Sequence, residues 1–373
     1  ASDTSKLILI AKDIQNLIGS KKDDTFIFKK GAKLTGTIDG GLGKNKLDYL
    51  AYGGVVNADL SDTVDLSGFF KSTVPAGGIK NITDIQGGNG KTGLNSSDKG
   101  NTLTGNHTSN SLTGGAKNDT LTGAAGDDIL TAGKGNDLLI GGIGGDGLRG
   151  EDGNDTYRFS LDDFFGSTNE FTPSYRDTVI EASTANSGKL DTIDFSQFPA
   201  EDDWDEPVLL NVEVRDLVNT GITVKMKIGD DEEHELFTSP VKNVESVIIG
   251  AGDSTVTFYN QWGPNALIGS PIDEDSKVRL DTSARVDLDF SNVTHDLIFE
   301  IWPDAEVKVF EAESDGKDGF TSKKGGATAT ISNVRDLTGG QGNNTYKFKD
   351  EAKLLGTLIG TPLKADGTPV VDN

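Results

Sequence analysis

The stretch AAGDDILTAGKGNDLLIGG, residues 124–142, repeats one pattern every nine residues: glycines, then an acid, then a leucine. The same phase holds for eight successive nonapeptides, residues 87–158. The eighth position of each nonapeptide is large and apolar: Leu94, Leu103, Leu112, Leu121, Leu130, Leu139, Leu148 and Tyr157. The sixth position changes from polar to acidic along the chain: Thr92, Asn101, Asn110, Asp119, Asp128, Asp137, Asp146 and Asp155. Two phased columns of this length indicate an internal repeat rather than a bias in composition.

Each part of the nonapeptide has a physical role. Glycines let the backbone adopt positive φ and turn sharply without a Cβ clash. The last three residues form a minimal strand whose middle side chain points inward and must be apolar. Two nonapeptides make one coil, and stacked coils form a right-handed parallel β-roll. Alternate acids then fall on the same edge, with Asp119, Asp137 and Asp155 on one and Asp128 and Asp146 on the other.

The acid columns need a counter-charge. Stacked strands lie about 4.8 Å apart, and two carboxylates at that distance repel by roughly 3 kcal/mol at an effective dielectric of 20. Turn carbonyls and carboxylates offer the oxygen ligands that Ca²⁺ prefers, whereas Mg²⁺ demands a stricter octahedron. The predicted calcium ligands come from these residues: Asp119, Asp128, Asp137, Asp146, Asp155, Gly114, Gly123, Gly126, Gly135 and Gly144. A glycine-rich solenoid without metal is the alternative.

The pattern G-G-x-G-x-D-x-U-x resembles the RTX (repeats-in-toxin) calcium-binding β-roll. The match is strong over residues 114–158 and weaker upstream, where Thr92, Asn101 and Asn110 replace the acid. Whether residues 87–112 bind metal is therefore left open. The resemblance implies a secreted protein, exported by type I secretion, that folds when it meets extracellular calcium.

A second, longer repeat spans the chain. Residues 17–38 and 337–358 share ten identical positions of 22, at a shift of 320 residues. A period of this size predicts that the chain holds one unit of a tandem array and the beginning of the next. The arrangement resembles the long repeats of giant secreted bacterial RTX adhesins and surface proteins.

The rest of the chain is predicted to be β-rich. Alternating runs such as 208–214 and 222–228 indicate half-buried strands, and no stretch shows a helical period. The predicted fold is all-β: a right-handed parallel β-roll with an inserted sandwich-like region. Its predicted parts are a β-rich segment with solenoid-like turns at 1–86, the RTX roll at 87–159, the β-rich insert at 160–332, and the start of a second N-terminal element at 333–373.

Composition excludes several functions. A net charge of −24 disfavours binding to nucleic acid or to an anionic membrane surface. The chain has no cysteine, hence no disulfides, and no apolar run long enough for a membrane helix. His234-Glu235 is not followed by the second histidine of a zinc-binding H-E-x-x-H helix, and no nucleophile motif occurs. We expect no enzymatic activity.

The sequence thus predicts a calcium-binding structural spacer of a large secreted or cell-surface bacterial protein. Its expected partners are calcium ions and neighbouring repeats of the same chain. Cell-surface glycans are a further candidate, because Tyr259 and Trp262 in the loop YNQWGPN can stack on sugar rings. The alternative functions are a glycan-binding adhesive module, or a non-catalytic part of a secreted calcium-dependent enzyme or toxin.

Overall fold

The structure, a computed structural model, is almost entirely β. It describes residues 16–29, 37–51, 56–59, 79–87, 92–95, 100–165, 171–181, 191–199, 206–215, 221–230, 232–244, 246–259, 266–269, 285–315, 320–324, 328–352, 354 and 356–360. No helix within these residues is long and apolar enough to cross a bilayer.

The described residues contain 31 strands, one short α-helix and two 3₁₀ turns. The first part of the chain has strands β1 Leu17–Ile18, β2 Thr25–Ile27, β3 Ile38–Asp39, β4 Lys46–Asp48, β5 Val56–Asp59, β6 Ile79–Lys80, β7 Asp84–Gln86, β8 Thr92–Asn95, β9 Thr102–Asn106, β10 Ser111–Thr113, β11 Thr120–Ala125, β12 Ile129–Lys134, β13 Leu138–Ile143, β14 Gly147–Asp152 and β15 Thr156–Arg158. Helix α1 follows at Asp162–Phe165, with a 3₁₀ turn at Pro173–Tyr175.

The second part begins with β16 Thr178–Ile180, β17 Thr192–Asp194, β18 Val208–Val214, β19 Ile222–Ile228, β20 His234–Glu235, β21 Ser246–Ile248, β22 Ser254–Tyr259, β23 Ala266–Gly269, β24 Val286–Asn292 and β25 Leu297–Ile301. After a 3₁₀ turn at Pro303–Ala305 it continues with β26 Val307–Ser314, β27 Phe320–Ser322, β28 Thr328–Ile331, β29 Val334–Thr338, β30 Asn344–Phe348 and β31 Leu358–Ile359.

The nonapeptides form a parallel β-roll. Successive strands alternate between two sheets, so that β9, β11, β13 and β15 lie in a 15-stranded sheet and β8, β10, β12, β14 and β16 in a six-stranded one. Leu121 pairs with Leu139 in one sheet, and Leu130 pairs with Leu148 in the other. Each coil therefore contains 18 residues, as predicted. All eight apolar-column side chains are 0% exposed, which confirms that this column is the core.

Most roll strands are longer than the predicted three residues. Strands β11 to β14 each span six residues and run on into the glycine turn. Pairing continues there because Ala124 aligns with Gly142, which lies at φ +98°. A Cβ on Gly142 would lie 2.1 Å from the Ala124 carbonyl oxygen, so only glycine fits this close approach.

The large sheet does not end with the roll. It continues through β17, β21, β23 and β28, and then through β26, β25 and β30. A seven-stranded sheet contains β18, β22, β24, β29 and β31 in parallel, with β19 and β20 added antiparallel. The all-β roll prediction is confirmed. The sheets cross the predicted boundaries near residues 160 and 333, and those boundaries stay predictions.

Candidate metal centre

The acid column forms two hydrogen-bonded ladders along the edges of the roll. Each aspartate immediately precedes a roll strand and is buried. Each also accepts a backbone N–H from the coil before it. On one edge, the N–H of Asn101 donates to Asp119 Oδ1 (2.6 Å), that of Asp119 to Asp137 Oδ1 (2.6 Å), and that of Asp137 to Asp155 Oδ1 (2.8 Å). On the other, Asn110 donates to Asp128 Oδ1 (2.6 Å) and Asp128 to Asp146 Oδ1 (2.7 Å). The predicted division of the acids between two edges is correct.

Both ladders extend beyond the nonapeptide register. The N–H of Asp146 donates to Asp177 Oδ1, and that of Asp155 donates to Asp191 Oδ1, each at 2.8 Å. Sequence reasoning missed these two acids because insertions stretch the spacing from 18 residues to 31 and 36. A signal was present, since Asp177-Thr-Val and Asp191-Thr-Ile repeat the Asp-Thr-apolar order of Asp119-Thr-Leu.

The second carboxylate oxygen, Oδ2, of several ladder acids lacks a hydrogen-bond donor. Among the described residues, Oδ2 of Asp128, Asp137, Asp146 and Asp177 is buried and has no hydrogen-bond partner. Asp119 differs, because its Oδ2 accepts the N–H of Gly115 at 2.7 Å. A buried carboxylate oxygen without a partner costs several kcal/mol unless a proton or a cation neutralises it.

Burial sets the protonation of these acids. It raises the pKa of Asp128 to about 7, that of Asp137 to about 6 and that of Asp146 to about 8. The hydrogen bond from the preceding coil opposes each rise, and neighbouring carboxylates add to it. Burial also holds the pKa of Asp177 well above the usual range. Near neutral pH, these acids therefore bind either a proton or a cation.

The predicted turn glycines lie against the acids or in tight turns. A Cβ on Gly123 would lie 2.2 Å from Asp128 Oδ2, and one on Gly114 would lie 2.9 Å from Asp119 Oδ2. Gly126, Gly135 and Gly144 adopt φ of +99°, +133° and +142°. A side chain at Gly123 would fill the space beside the acid oxygen. Unpartnered oxygens beside such space fit an oxygen-coordinated cation such as Ca²⁺, and carbonyl ligation by these glycines stays a prediction.

A three-carboxylate cluster lies at the end of one ladder. Asp155, Glu181 and Asp191 each offer an oxygen atom within 4.8 Å of the others, close enough to hold a metal ion. The hydroxyl of Tyr157 donates to Glu181 Oε1 and accepts the Gly150 N–H at 2.8 Å. The last residue of the apolar column thus also orients a member of the acidic cluster.

The upstream asparagines behave differently. Asn101 Nδ2 donates to the carbonyl of Thr83 at 3.1 Å, and Asn110 Oδ1 accepts the N–H of Asn106 at 2.7 Å. The side chain of Thr92 lies outside the described residues. An amide thus provides its own donor where the acids have none.

The glycan prediction is not tested by the structure. Trp262 lies outside the described residues. Tyr259 ends β22, is half-buried, and has the Arg215 guanidinium 3.8 Å from its ring centroid. One face of the Tyr259 ring is therefore covered by a cation rather than open to a sugar.

Comparison with known families agrees with the ladder geometry. Residues 104–139 and 123–157 match the family model of the RTX calcium-binding nonapeptide repeat, which describes four copies of the repeat. A search of curated proteins found no match. The chain contains RTX repeats, which bind Ca²⁺, and their β-roll fold places the acids at two edges. The calcium prediction is confirmed at this level.

Proposed function

We propose that this chain is a calcium-folded structural segment of a large secreted or cell-surface bacterial protein. The observation that carries the proposal is the pair of ladders of buried aspartates, in which Oδ2 of Asp128, Asp137, Asp146 and Asp177 has no hydrogen-bond partner among the described residues. The family match to residues 104–157 supports calcium as the ion and type I export as the route.

Calcium supplies the charge that the ladders lack. Extracellular calcium modules bind with dissociation constants of about 10⁻⁴ to 10⁻³ M, so the roll is unliganded in the cytosol and liganded outside. An ion that binds only the folded state stabilises it as ln(1 + [Ca²⁺]/Kd) for each site. Export as an open chain and folding after export follow from this difference in concentration.

The segment acts as a stiff spacer without catalysis of its own. Its long parallel sheets support a mechanical role, and the absence of a zinc-binding or nucleophile motif in the sequence supports a non-catalytic one. The same segment also suits the non-catalytic part of an enzyme or toxin.

Calcium titration tests the proposal directly. Circular dichroism and calorimetry of the full chain should show a calcium-driven gain of β structure together with heat of binding. Asp137→Asn should raise the calcium midpoint, whereas Asp152→Asn, an exposed acid outside the column, should leave it unchanged. A chain that is equally folded in chelator and in millimolar calcium, and that shows no binding heat, would contradict the proposal.

A further inference from the structure

The two ends of the fold are copies of one element. Leu17 pairs with Ile38 and Leu337 with Leu358, so both copies close a parallel coil of 21 residues. The hydrogen bonds match as well. The N–H of Leu17 donates to the Thr37 carbonyl (2.8 Å), that of Leu337 to the Thr357 carbonyl (2.9 Å), that of Gly19 to the Asp39 carbonyl (2.7 Å) and that of Gly339 to the Ile359 carbonyl (2.8 Å).

The two copies use opposite edges of the same strand. In β2, the Asp24 carbonyl and the Phe28 N–H bond to the following strand β4. The equivalent residues in β30 are Asn344 and Phe348, yet β30 bonds to the preceding strand β25 through Asn343 and Lys349. Because backbone groups alternate sides in a parallel ladder, the edge of β30 that matches the bonded edge of β2 faces away from β25.

No described strand pairs with that edge of β30 or with the outer edge of β2. The seven-stranded sheet repeats the situation, because it ends at β31, whereas the equivalent strand β3 pairs onward with β6. Each end of the molecule therefore has a sheet edge that no described strand covers.

Equivalent apolar side chains differ in burial between the two copies. Phe28 is 8% exposed and stacks on Tyr49 of the next coil at 4.8 Å, whereas its equivalent Phe348 is 55% exposed. Ile38 is 0% exposed beneath β6, whereas its equivalent Leu358 is 37% exposed. The C-terminal coil thus presents apolar side chains that its own N-terminal copy buries.

Charge does not oppose contact at these ends. The chain has a net charge of −24, but both end elements are close to neutral. The described N-terminal coils contain Lys21, Lys22, Lys29, Lys44 and Lys46 against Asp23, Asp24, Asp39 and Asp48, and residues 333–352 contain Arg335, Lys347 and Lys349 against Asp336, Asp350 and Glu351.

From these observations we infer that the occupant of the open edges is a second copy of this chain, stacked end to end so that β30 of one copy pairs in parallel with β2 of the next. The inference goes beyond the calcium role, since it concerns the end coils rather than the acid ladders. The contact is heterologous and does not close, so it builds a continuous rod. Exposed strand edges with unpaired backbone groups are known templates for such pairing.

The pairing register makes the inference testable by cross-linking. Phe26 pairs with Leu47 and Phe299 with Tyr346, so stacking the inward aromatics places Ile27 of one copy opposite Lys347 of the next. Both side chains are exposed, and the chain has no cysteine of its own. Adjacent strands about 4.8 Å apart suit the geometry of a disulfide.

The experiment mixes full-length Ile27→Cys and Lys347→Cys chains in calcium under mild oxidation. The mixture should give at least fivefold more covalent dimer than either variant alone, and the double variant should give a ladder of oligomers. Ile129→Cys, exposed on the side of the roll, is the matched control and should not cross-link to Ile27→Cys. Equal yields with Ile129→Cys and Lys347→Cys would overturn the inference.

A second measurement is free of cysteine chemistry. Sedimentation of the unmodified chain should show reversible growth with concentration, which Phe348→Lys should reduce and Ile129→Lys should not. Circular dichroism of the same samples separates the two proposals. A calcium response without cross-linking overturns end-to-end stacking only, whereas cross-linking without a calcium response overturns the proposed calcium function only.

Discussion

Some coils of this molecule have an aspartate before the strand (acid coils) and others an asparagine (asparagine coils). The backbone arrangement is the same in both, but the side chain makes different hydrogen bonds. In the coil of Asn45, the side-chain Oδ1 accepts the N–H of Asp24 at 3.0 Å, and Nδ2 donates to the Asn81 carbonyl at 2.8 Å. In the coil of Asp137, Oδ1 accepts the N–H of Asp119 at 2.6 Å, but Oδ2 has no donor to offer and no partner. Aspartate has an oxygen where asparagine has its NH₂ group, so the turn of an acid coil lacks one hydrogen-bond donor.

The last described coils repeat the asparagine solution. Asn344 Nδ2 donates to the carbonyls of Gly340 (2.7 Å) and Gly360 (3.0 Å). At both ends of the molecule an amide thus connects adjacent turns by hydrogen bonds. The central acids have no such donor. Under the proposed function, this one side-chain atom decides whether a coil folds without calcium or only with it.

Calcium removal should separate the two kinds of coil and is the largest expected effect. In chelator, the amides of Leu121, Leu130 and Leu139 should lose most of their protection from hydrogen exchange, because unneutralised acids border them. The amide of Leu47, in the Asn45 coil, should keep its protection. Loss of protection at all four amides together would mean that the coils unfold as one unit and that the distinction is wrong.

Converting an asparagine coil into an acid coil should be the next largest effect. Asn45→Asp removes the donor to the Asn81 carbonyl at a fully buried site, which should cost about 1–3 kcal/mol in the free energy of unfolding. Urea unfolding measures the loss. Asn118→Asp is the matched control, because its exposed Oδ1 accepts the Asn136 N–H whether the side chain is an amide or an acid. Equal losses in both variants would show that the Asn45 amide contributes nothing specific.

The sequence predicts the central roll well because its constraints are local. The apolar column must point inward, and the glycines must turn the chain, so the register of residues 120–158 follows from the nine-residue period. The extension of the ladders to Asp177 and Asp191 could not be read from that period, since a coil accepts insertions in its turns if the strand and its acid keep their places.

The downstream sheets were less predictable for another reason. Alternation in Val208–Val214 indicates a half-buried strand but says nothing about its partners. In the structure this strand pairs antiparallel with Ile222–Ile228 and parallel with Ser254–Tyr259. Partner choice depends on tertiary contacts, such as the Phe258 and Phe290 rings that stack at 4.4 Å in successive coils.

The shift in calcium midpoint caused by losing one acid should depend on the position of that acid along the ladder. Asp137 lies between Asp119 and Asp155, whereas Asp119 has an acid only on one side and Asn101 on the other. Asp137→Asn should therefore raise the calcium midpoint about tenfold, or ~1.4 kcal/mol, and Asp119→Asn only about threefold. Calcium titration followed by circular dichroism reads both midpoints. A larger shift for Asp119→Asn would place the ions elsewhere than between successive acids.

The last expected effect is a pH dependence whose sign changes with calcium. Burial raises the pKa of Asp137 to about 6, that of Asp128 to about 7 and that of Asp146 to about 8, from the usual 3.8. The calcium-free fold therefore binds more protons than the unfolded chain. Its extra stability is complete below about pH 4 and is lost as the pH rises through about 6 to 8.

Calcium reverses this slope, because its ligands must be deprotonated and protons compete with the ion. In chelator, the free energy of unfolding should fall by at least ~1.4 kcal/mol between pH 5.5 and pH 8, the equivalent of one pKa unit at one acid. At a fixed, sub-saturating calcium concentration it should rise over the same interval. Urea unfolding at the two pH values measures both slopes, and the asparagine coil, followed by hydrogen exchange at Leu47, is the internal control. Slopes of the same sign in chelator and in calcium would mean that the buried acids do not exchange protons for the ion.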